Sequence, residues 1–151
     1  MKEHLRLARL YFALLAIFAI GRWSLAPLEV PYARGHHVFS VVILTLLSCI
    51  YYPAFARGLR GYGVADSLTL GAILGLSSQL VILVSTMLSY LFGIDSYWNH
   101  PAALGVPGLS VLGALQNRLL GLVANTLACT VVAALGWALG GLLPDADTQA
   151  G

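Results

Sequence analysis

The sequence predicts an all-α integral membrane protein, a four-transmembrane-helix bundle of up-down-up-down topology that forms one domain over residues 1–151. Two features of composition and one of patterning predict it. Hydrophobic residues make up 59% of the chain and charged residues only 9%, whereas a typical soluble domain is about 25% charged. The charged residues also lie at the ends of long apolar runs. A chain of this kind cannot cover a water-facing surface, so its apolar excess is expected to face lipid.

The first apolar run predicts helix 1 near residues 5–25. The run is bounded by Arg9 and Arg22, whose long side chains can extend to the membrane surface and lengthen the effective span. The basic start and the small residues at 24–26 also resemble a signal peptide with a cleavage site. Because Pro27 follows that site directly, we expect the helix to be retained.

The second run predicts helix 2 near residues 36–55, with Pro53 bending or ending it in its last turn. Residues 56–65 then form a short, basic, glycine-rich connection. Either Asp66 or Ser67 is expected to cap the next helix, because both residue types accept hydrogen bonds from a first helical turn.

Helix 3 is predicted near residues 67–92, with Gly93 as its C-terminal stop. Helix 4 is predicted near residues 118–143, followed by a polar, disordered tail over residues 144–151.

The stretch before helix 4, residues 104–116, is apolar and rich in glycine, but Pro107 interrupts it. It is too short to span separately, since a crossing needs about 20 residues. We expect an interfacial segment, a re-entrant segment or an early extension of helix 4.

The distribution of basic residues predicts the orientation, because cytoplasmic connections carry more Lys and Arg. One side of the predicted bundle carries five basic residues, namely Lys2, Arg6, Arg9, Arg57 and Arg60. The other side carries three, namely Arg22, Arg34 and Arg118. We therefore expect a multi-pass protein of the cell membrane with both termini in the cytoplasm.

Small residues predict how the helices pack, because membrane helices associate through close backbone contact and a few polar bonds. Helix 4 carries a stripe on one face, consisting of Gly121, Asn125, Cys129, Ala133, Gly136 and Gly140. We expect this stripe to face other helices, chiefly helix 3. Gln79 and Asn125 are expected to bond across that interface, the alternative being a polar pore lining. Cys49 and Cys129 are interpreted as small buried packing residues.

The chemically rich residues gather at the non-cytoplasmic end of the predicted bundle. Six of them are predicted to line one ligand-binding site, namely Arg22, Arg34, His37, Asp95, His100 and Arg118. Three arginines there face only two carboxylates, those of Glu29 and Asp95, so an anionic ligand such as a lipid phosphate is expected.

Two other interpretations of this cluster remain open. In the first, its arginines and aromatic residues only anchor the protein at headgroup depth. In the second, His36 or His37 joins His100 to hold a metal ion or haem, since imidazole is a common metal ligand. The spacing of these histidines matches no established zinc pattern.

No nucleophile motif, phosphate loop or nucleotide fingerprint occurs in the sequence, and no basic patch indicates nucleic-acid binding. We therefore expect a non-enzymatic membrane subunit or scaffold that binds an anionic lipid or a partner at its non-cytoplasmic end, without a cofactor. The expected partners are membrane lipids, another membrane protein or further copies of the chain. The alternatives are a small membrane enzyme or haem/metal redox protein using the outer histidines, and a channel-like homo-oligomer.

Overall fold

The computed structural model describes residues 2–105 and 110–142, and this part of the chain is all-helical, with no strands. The helices are α1 (Lys2–Leu7), α2 (Arg9–Ser24), α3 (Tyr32–Gly35), α4 (Val41–Arg60), α5 (Val64–Leu91), α6 (Pro101–Leu104) and α7 (Val111–Gly140). By length and composition, α4, α5 and α7 can cross a membrane. The predicted all-helical class is thus confirmed, and three helices are consistent with the predicted membrane crossings.

Predicted helix 2 is displaced along the chain, since α4 covers Val41–Arg60 rather than residues 36–55. The side chain of Ser40 accepts from the backbone N–H of Ile43 and begins the helix. Pro53 is buried inside the helix and does not end it. The last turn is held against α7, because Arg57 donates to the carbonyl oxygen of Trp137 at 2.9 Å and covers its ring.

The connection from α4 to α5 is only residues 61–63 long, much shorter than the predicted 56–65. Gly63 occupies the N-cap position and makes no side-chain hydrogen bond there. The expectation that Asp66 or Ser67 caps this helix is therefore wrong. Both residues lie inside the first turns of α5, and Ser67 is fully buried.

The predicted stop at Gly93 is confirmed, because α5 ends at Leu91 and Gly93 has φ of 61°. A side chain is unfavourable at this left-handed conformation, which glycine adopts readily. The N–H of Gly93 donates to the oxygen of Tyr90, and that of Ile94 to the oxygen of Ser89. These two bonds form a Schellman cap, which satisfies carbonyls at the helix end.

Predicted helix 4 begins seven residues early, since α7 starts at Val111 with Ser110 as its N-cap. Residues 111–116 are thus an early extension of the helix, and the short α6 precedes them. Residues 106–109, the predicted helix end at 143 and the predicted tail 144–151 lie outside the described residues.

The part of the small-residue stripe of α7 from Cys129 to Gly140 is buried against other helices, as predicted, but it contacts two of them. At one end, a Cβ atom added to Gly75 of α5 would lie 2.8 Å from the Cβ of Cys129. At the other end, a Cβ on Gly136 would lie 2.8 Å from the Cα of Ile50 in α4. The interface with predicted helix 3 therefore accounts for only part of the stripe.

Polar groups also join the long helices. The side-chain N–H of Asn125 donates to the side-chain oxygen of Gln79 at 3.3 Å, which confirms the predicted interhelical bond. Gln79 is buried, but Asn125 at the middle of α7 is exposed. The thiols of Cys49 and Cys129 are free, buried and directed at each other.

The N-terminal segment packs on α4 and α5 through Tyr11 of α2. This side chain is fully buried, and its hydroxyl donates to the carbonyl oxygen of Leu74 at 2.9 Å. It also lies 3.1 Å from the hydroxyl of Thr45. Predicted helix 1, near residues 5–25, is interrupted at Ala8, which separates α1 from α2.

Candidate functional site

A cavity of about 340 Å³ lies at the end of the molecule that carries α3 and α6. We call it the arginine cavity, because Arg22 from the last turn of α2 and Arg118 from α7 both line it. Further lining residues are Tyr32, His36, His37, Val42, Ile43, Tyr97 and Trp98. Residues distant in sequence converge here because the ends of four helices and two connections meet at this cavity.

Arg118 lines this cavity and donates hydrogen bonds to three separate segments of the chain. Its Nη2 donates to the carbonyl oxygen of Trp98 at 2.7 Å, and its Nη1 donates to that of Ala103 at 3.4 Å. Its Nε donates to the hydroxyl of Thr86 in α5 at 3.0 Å. The guanidinium is thereby fixed in direction, since its donors form a rigid planar fork.

Arg22 lines the same cavity and is held by fewer backbone hydrogen bonds than Arg118. Its Nη1 donates to the carbonyl oxygen of His36 at 3.2 Å. The guanidinium carbon lies 5.5 Å from the ring centre of Tyr97 and 5.3 Å from that of Trp98. Both rings are within the range at which an aromatic face attracts a cation.

Of the residues that the structure describes, two cationic side chains and no carboxylate line the cavity. Among the described residues, no carboxylate forms an ion pair with Arg22 or Arg118, and the two positive charges repel each other. The indole N–H of Trp98 is buried and has no hydrogen-bond partner in the described part of the chain. Because guanidiniums form strong charge-assisted hydrogen bonds with anions, the two unpaired arginines favour a bound group of negative charge.

A second cavity, of about 370 Å³, lies beside the first. We call it the carboxylate cavity, because Glu29 and Asp95 line it together with His100. Tyr32 and Tyr97 line both cavities. The ring of His100 stacks on that of Tyr32, with centres 4.1 Å apart and planes 1° from parallel.

The structure divides the six predicted site residues into three groups. Arg22, His37 and Arg118 line the arginine cavity, whereas Asp95 and His100 line the carboxylate cavity. Arg34 is exposed and is absent from the lining of either cavity. A ligand-binding role for these residues stays a prediction.

Tyr32, Tyr97 and Trp98 line the arginine cavity, but the sequence did not assign them to the site. Their position in the aromatic, polar runs around predicted helix ends was the available signal. Thr86 was missed entirely, because it lies inside the apolar run of α5 and nothing around it indicates a contact with Arg118.

The histidines are close to one another without forming a recognisable metal centre. The rings of His36 and His37 have centres 3.8 Å apart. The Nδ1 of His100 accepts from the backbone N–H of Ala102. Within residues 2–105 and 110–142, no three side chains of His, Cys, Asp or Glu come together as ligands. A metal or haem site stays a prediction.

Comparisons with protein-family models, with curated proteins and with solved structures find no match. What the site can do therefore follows from its own groups. Two guanidiniums line a space that can admit a small anion, and a phosphate suits such donors because its oxygens accept several hydrogen bonds at once.

Proposed function

We propose that the protein is a non-enzymatic membrane subunit or scaffold that binds the phosphate group of a membrane lipid in the arginine cavity. The observation that carries this proposal is the pairing of Arg22 with Arg118 in one cavity that no carboxylate lines. A phosphate would neutralise the two charges.

A lipid suits the cavity better than a free anion does. Val42 and Ile43 form part of its lining and are 46% and 42% exposed on α4. Because α4 is long and apolar enough to cross a membrane, these side chains would lie against the acyl layer. A headgroup in the cavity would leave its acyl chains beside them.

The proposed membrane arrangement includes α2 as a fourth crossing. Its 16 residues span about 24 Å, and Arg9 and Arg22 at its ends can extend to the headgroups. It runs antiparallel to α4, since Phe18 of α2 contacts Phe39 just before α4, while His4 contacts Tyr62 just after it. Four alternating crossings would place the arginine cavity on the non-cytoplasmic side.

This arrangement predicts the side on which each terminus lies. Reporter fusions at the N terminus, at the C terminus and in the connection 61–63 should all give cytoplasmic signals, because the number of crossings is even and the basic residues concentrate there. A fusion in the connection 25–31 is the control and should report the opposite side. Termini on opposite sides would contradict a fourth crossing.

A subunit role is supported by the exposed Asn125. This amide lies midway along α7 and makes one bond to Gln79, so part of its hydrogen-bonding capacity would face hydrocarbon. An unsatisfied amide is costly there, whereas a polar side chain of a neighbouring helix would satisfy it. Another membrane protein or a second copy of the chain would meet this need.

Replacing Arg22 by glutamine tests lipid binding. Native mass spectrometry of the detergent-purified protein should show about tenfold weaker binding of phosphatidylglycerol, because one charge-assisted contact contributes about 1.5 kcal/mol. Folding should persist, because glutamine keeps an N–H donor for the carbonyl oxygen of His36 and most of the side-chain length of Arg22. The matched control is Arg34→Gln, an exposed arginine at the same end that lines neither cavity.

Inorganic phosphate in the same assay separates a lipid site from a site for a free anion. Phosphate that binds as strongly as the lipid would reject the lipid assignment. Equal lipid binding by wild type, Arg22→Gln and Arg34→Gln would reject the arginine cavity as the site.

A further inference from the structure

The two cavities separate opposite charges across a shared aromatic wall. Arg22 and Arg118 lie on one side of Tyr32 and Tyr97, and Glu29 and Asp95 lie on the other. Within the described residues, neither carboxylate forms an ion pair, so the acids do not neutralise the arginines. A ligand that reaches both cavities would need an anionic and a cationic part close together.

The carboxylate cavity alone would be only a pair of exposed acids. Its significance comes from the adjoining arginine cavity, where no carboxylate of the described residues pairs with Arg22 or Arg118. The lipid phosphate proposed above would lie between these two guanidiniums. The substituent on such a phosphate would lie within reach of the shared wall and the acids beyond it.

The aromatic rings indicate which cation fits. A quaternary ammonium is recognised by open aromatic faces, but His100 covers one face of Tyr32 and the guanidinium of Arg22 lies over Tyr97. The free acceptors are instead the carboxylates of Glu29 and Asp95. A primary ammonium carries three N–H donors and can form charge-assisted hydrogen bonds with them.

We propose that the ligand is a zwitterionic phospholipid with a primary ammonium, of the phosphatidylethanolamine class, whose phosphate occupies the arginine cavity and whose ammonium occupies the carboxylate cavity. This inference rests on the proposed function and adds the identity of the headgroup. It also accounts for the closeness of two cavities of opposite charge. A purely anionic lipid would occupy only the arginine cavity.

The experiment compares phosphatidylethanolamine, phosphatidylcholine and phosphatidylglycerol of identical acyl chains by native mass spectrometry. Wild type should prefer the ethanolamine lipid over the choline lipid by up to about fivefold, because an exposed charge pair contributes up to about 1 kcal/mol. The double variant Glu29→Gln/Asp95→Asn should lose this preference and bind phosphatidylglycerol as well as wild type does. Glu3→Gln, an exposed acid at the opposite end, is the matched control.

The outcomes separate the two proposals. An unchanged ethanolamine preference in the double variant, or equal binding of all three lipids by wild type, would overturn the headgroup assignment. If Arg22→Gln still weakens the binding of all three lipids in that case, the proposed phosphate site stands without the headgroup assignment. If Arg22→Gln weakens the binding of none of them, both proposals are wrong.

Discussion

Replacing Gly136 by leucine should lower the thermal unfolding midpoint of the purified protein by about 5–10 °C. Gly136 of α7 is buried directly against the backbone of α4. A Cβ atom there would lie 2.8 Å from the Cα of Ile50 and 2.9 Å from the carbonyl oxygen of Cys49. Because neither backbone atom can rotate away, the helices must separate. Overpacking of this kind costs about 2–3 kcal/mol, and each kcal/mol corresponds to about 2–4 °C.

Ala138→Leu is the matched control for this substitution. Ala138 lies two residues further along α7 and is exposed, so the larger side chain meets no neighbouring helix. Differential scanning fluorimetry in one detergent should place its midpoint within about 1 °C of wild type, since substitutions at exposed sites change stability little. Equal midpoints for the two variants would show that close contact at Gly136 does not stabilise the protein.

The packing face of α7 was predictable from sequence, whereas the neighbours of that face were not. Steps of three and four residues place small side chains on one side of a helix, and this held from Cys129 to Gly140. Which neighbouring helix each part of this face contacts depends on the angles at which the helices cross. Cys129 meets Gly75 of α5, while Gly140 meets Ala54 of α4, and no spacing within α7 encodes that difference.

The helix boundaries were mispredicted where a polar residue was taken as the end of a membrane-spanning helix. Arg118 suggested the start of helix 4, yet α7 begins at Val111 and includes it. The charge is accommodated because Arg118 contacts carbonyl oxygens of the α5–α6 connection and α6. The sequence of one apolar segment does not indicate such hydrogen bonds to distant parts of the chain. Likewise, residues 36–39 form a turn before α4, because Ser40 caps the helix.

The location of the site was predictable from the alternation of helices, which brings distant connections to one end. The membership of each cavity was not, because it depends on the local turn geometry. The single turn α3 directs Tyr32 into both cavities but leaves Arg34 exposed two residues later. Tyr32 and Tyr97 lie between Asp95 and the two cavity arginines. Counting the charges in the sequence cannot reveal this separation.

Replacing Arg118 by methionine should destabilise the protein by about 1–3 kcal/mol and loosen the segment 95–104. The carbonyl oxygen of Ala103 would lose its guanidinium donor, and that of Trp98 would keep only the bond from Thr86. An unsatisfied buried acceptor costs about 1–3 kcal/mol. Methionine retains much of the side-chain volume, so the effect reports the lost hydrogen bonds rather than a cavity. The measurement is amide hydrogen exchange, which should become faster across residues 95–104.

Arg118→Lys separates the charge from the shape of the side chain. Lysine keeps the positive charge but has a compact ammonium in place of a planar fork, so it cannot reach Trp98, Ala103 and Thr86 together. We expect fast exchange in the segment 95–104 for both variants, with lipid binding weakened far more in Arg118→Met than in Arg118→Lys. Exchange at the wild-type rate in Arg118→Met would show that the guanidinium does not hold this connection. Equal lipid binding by the two variants would show that the charge of Arg118 does not contact the phosphate.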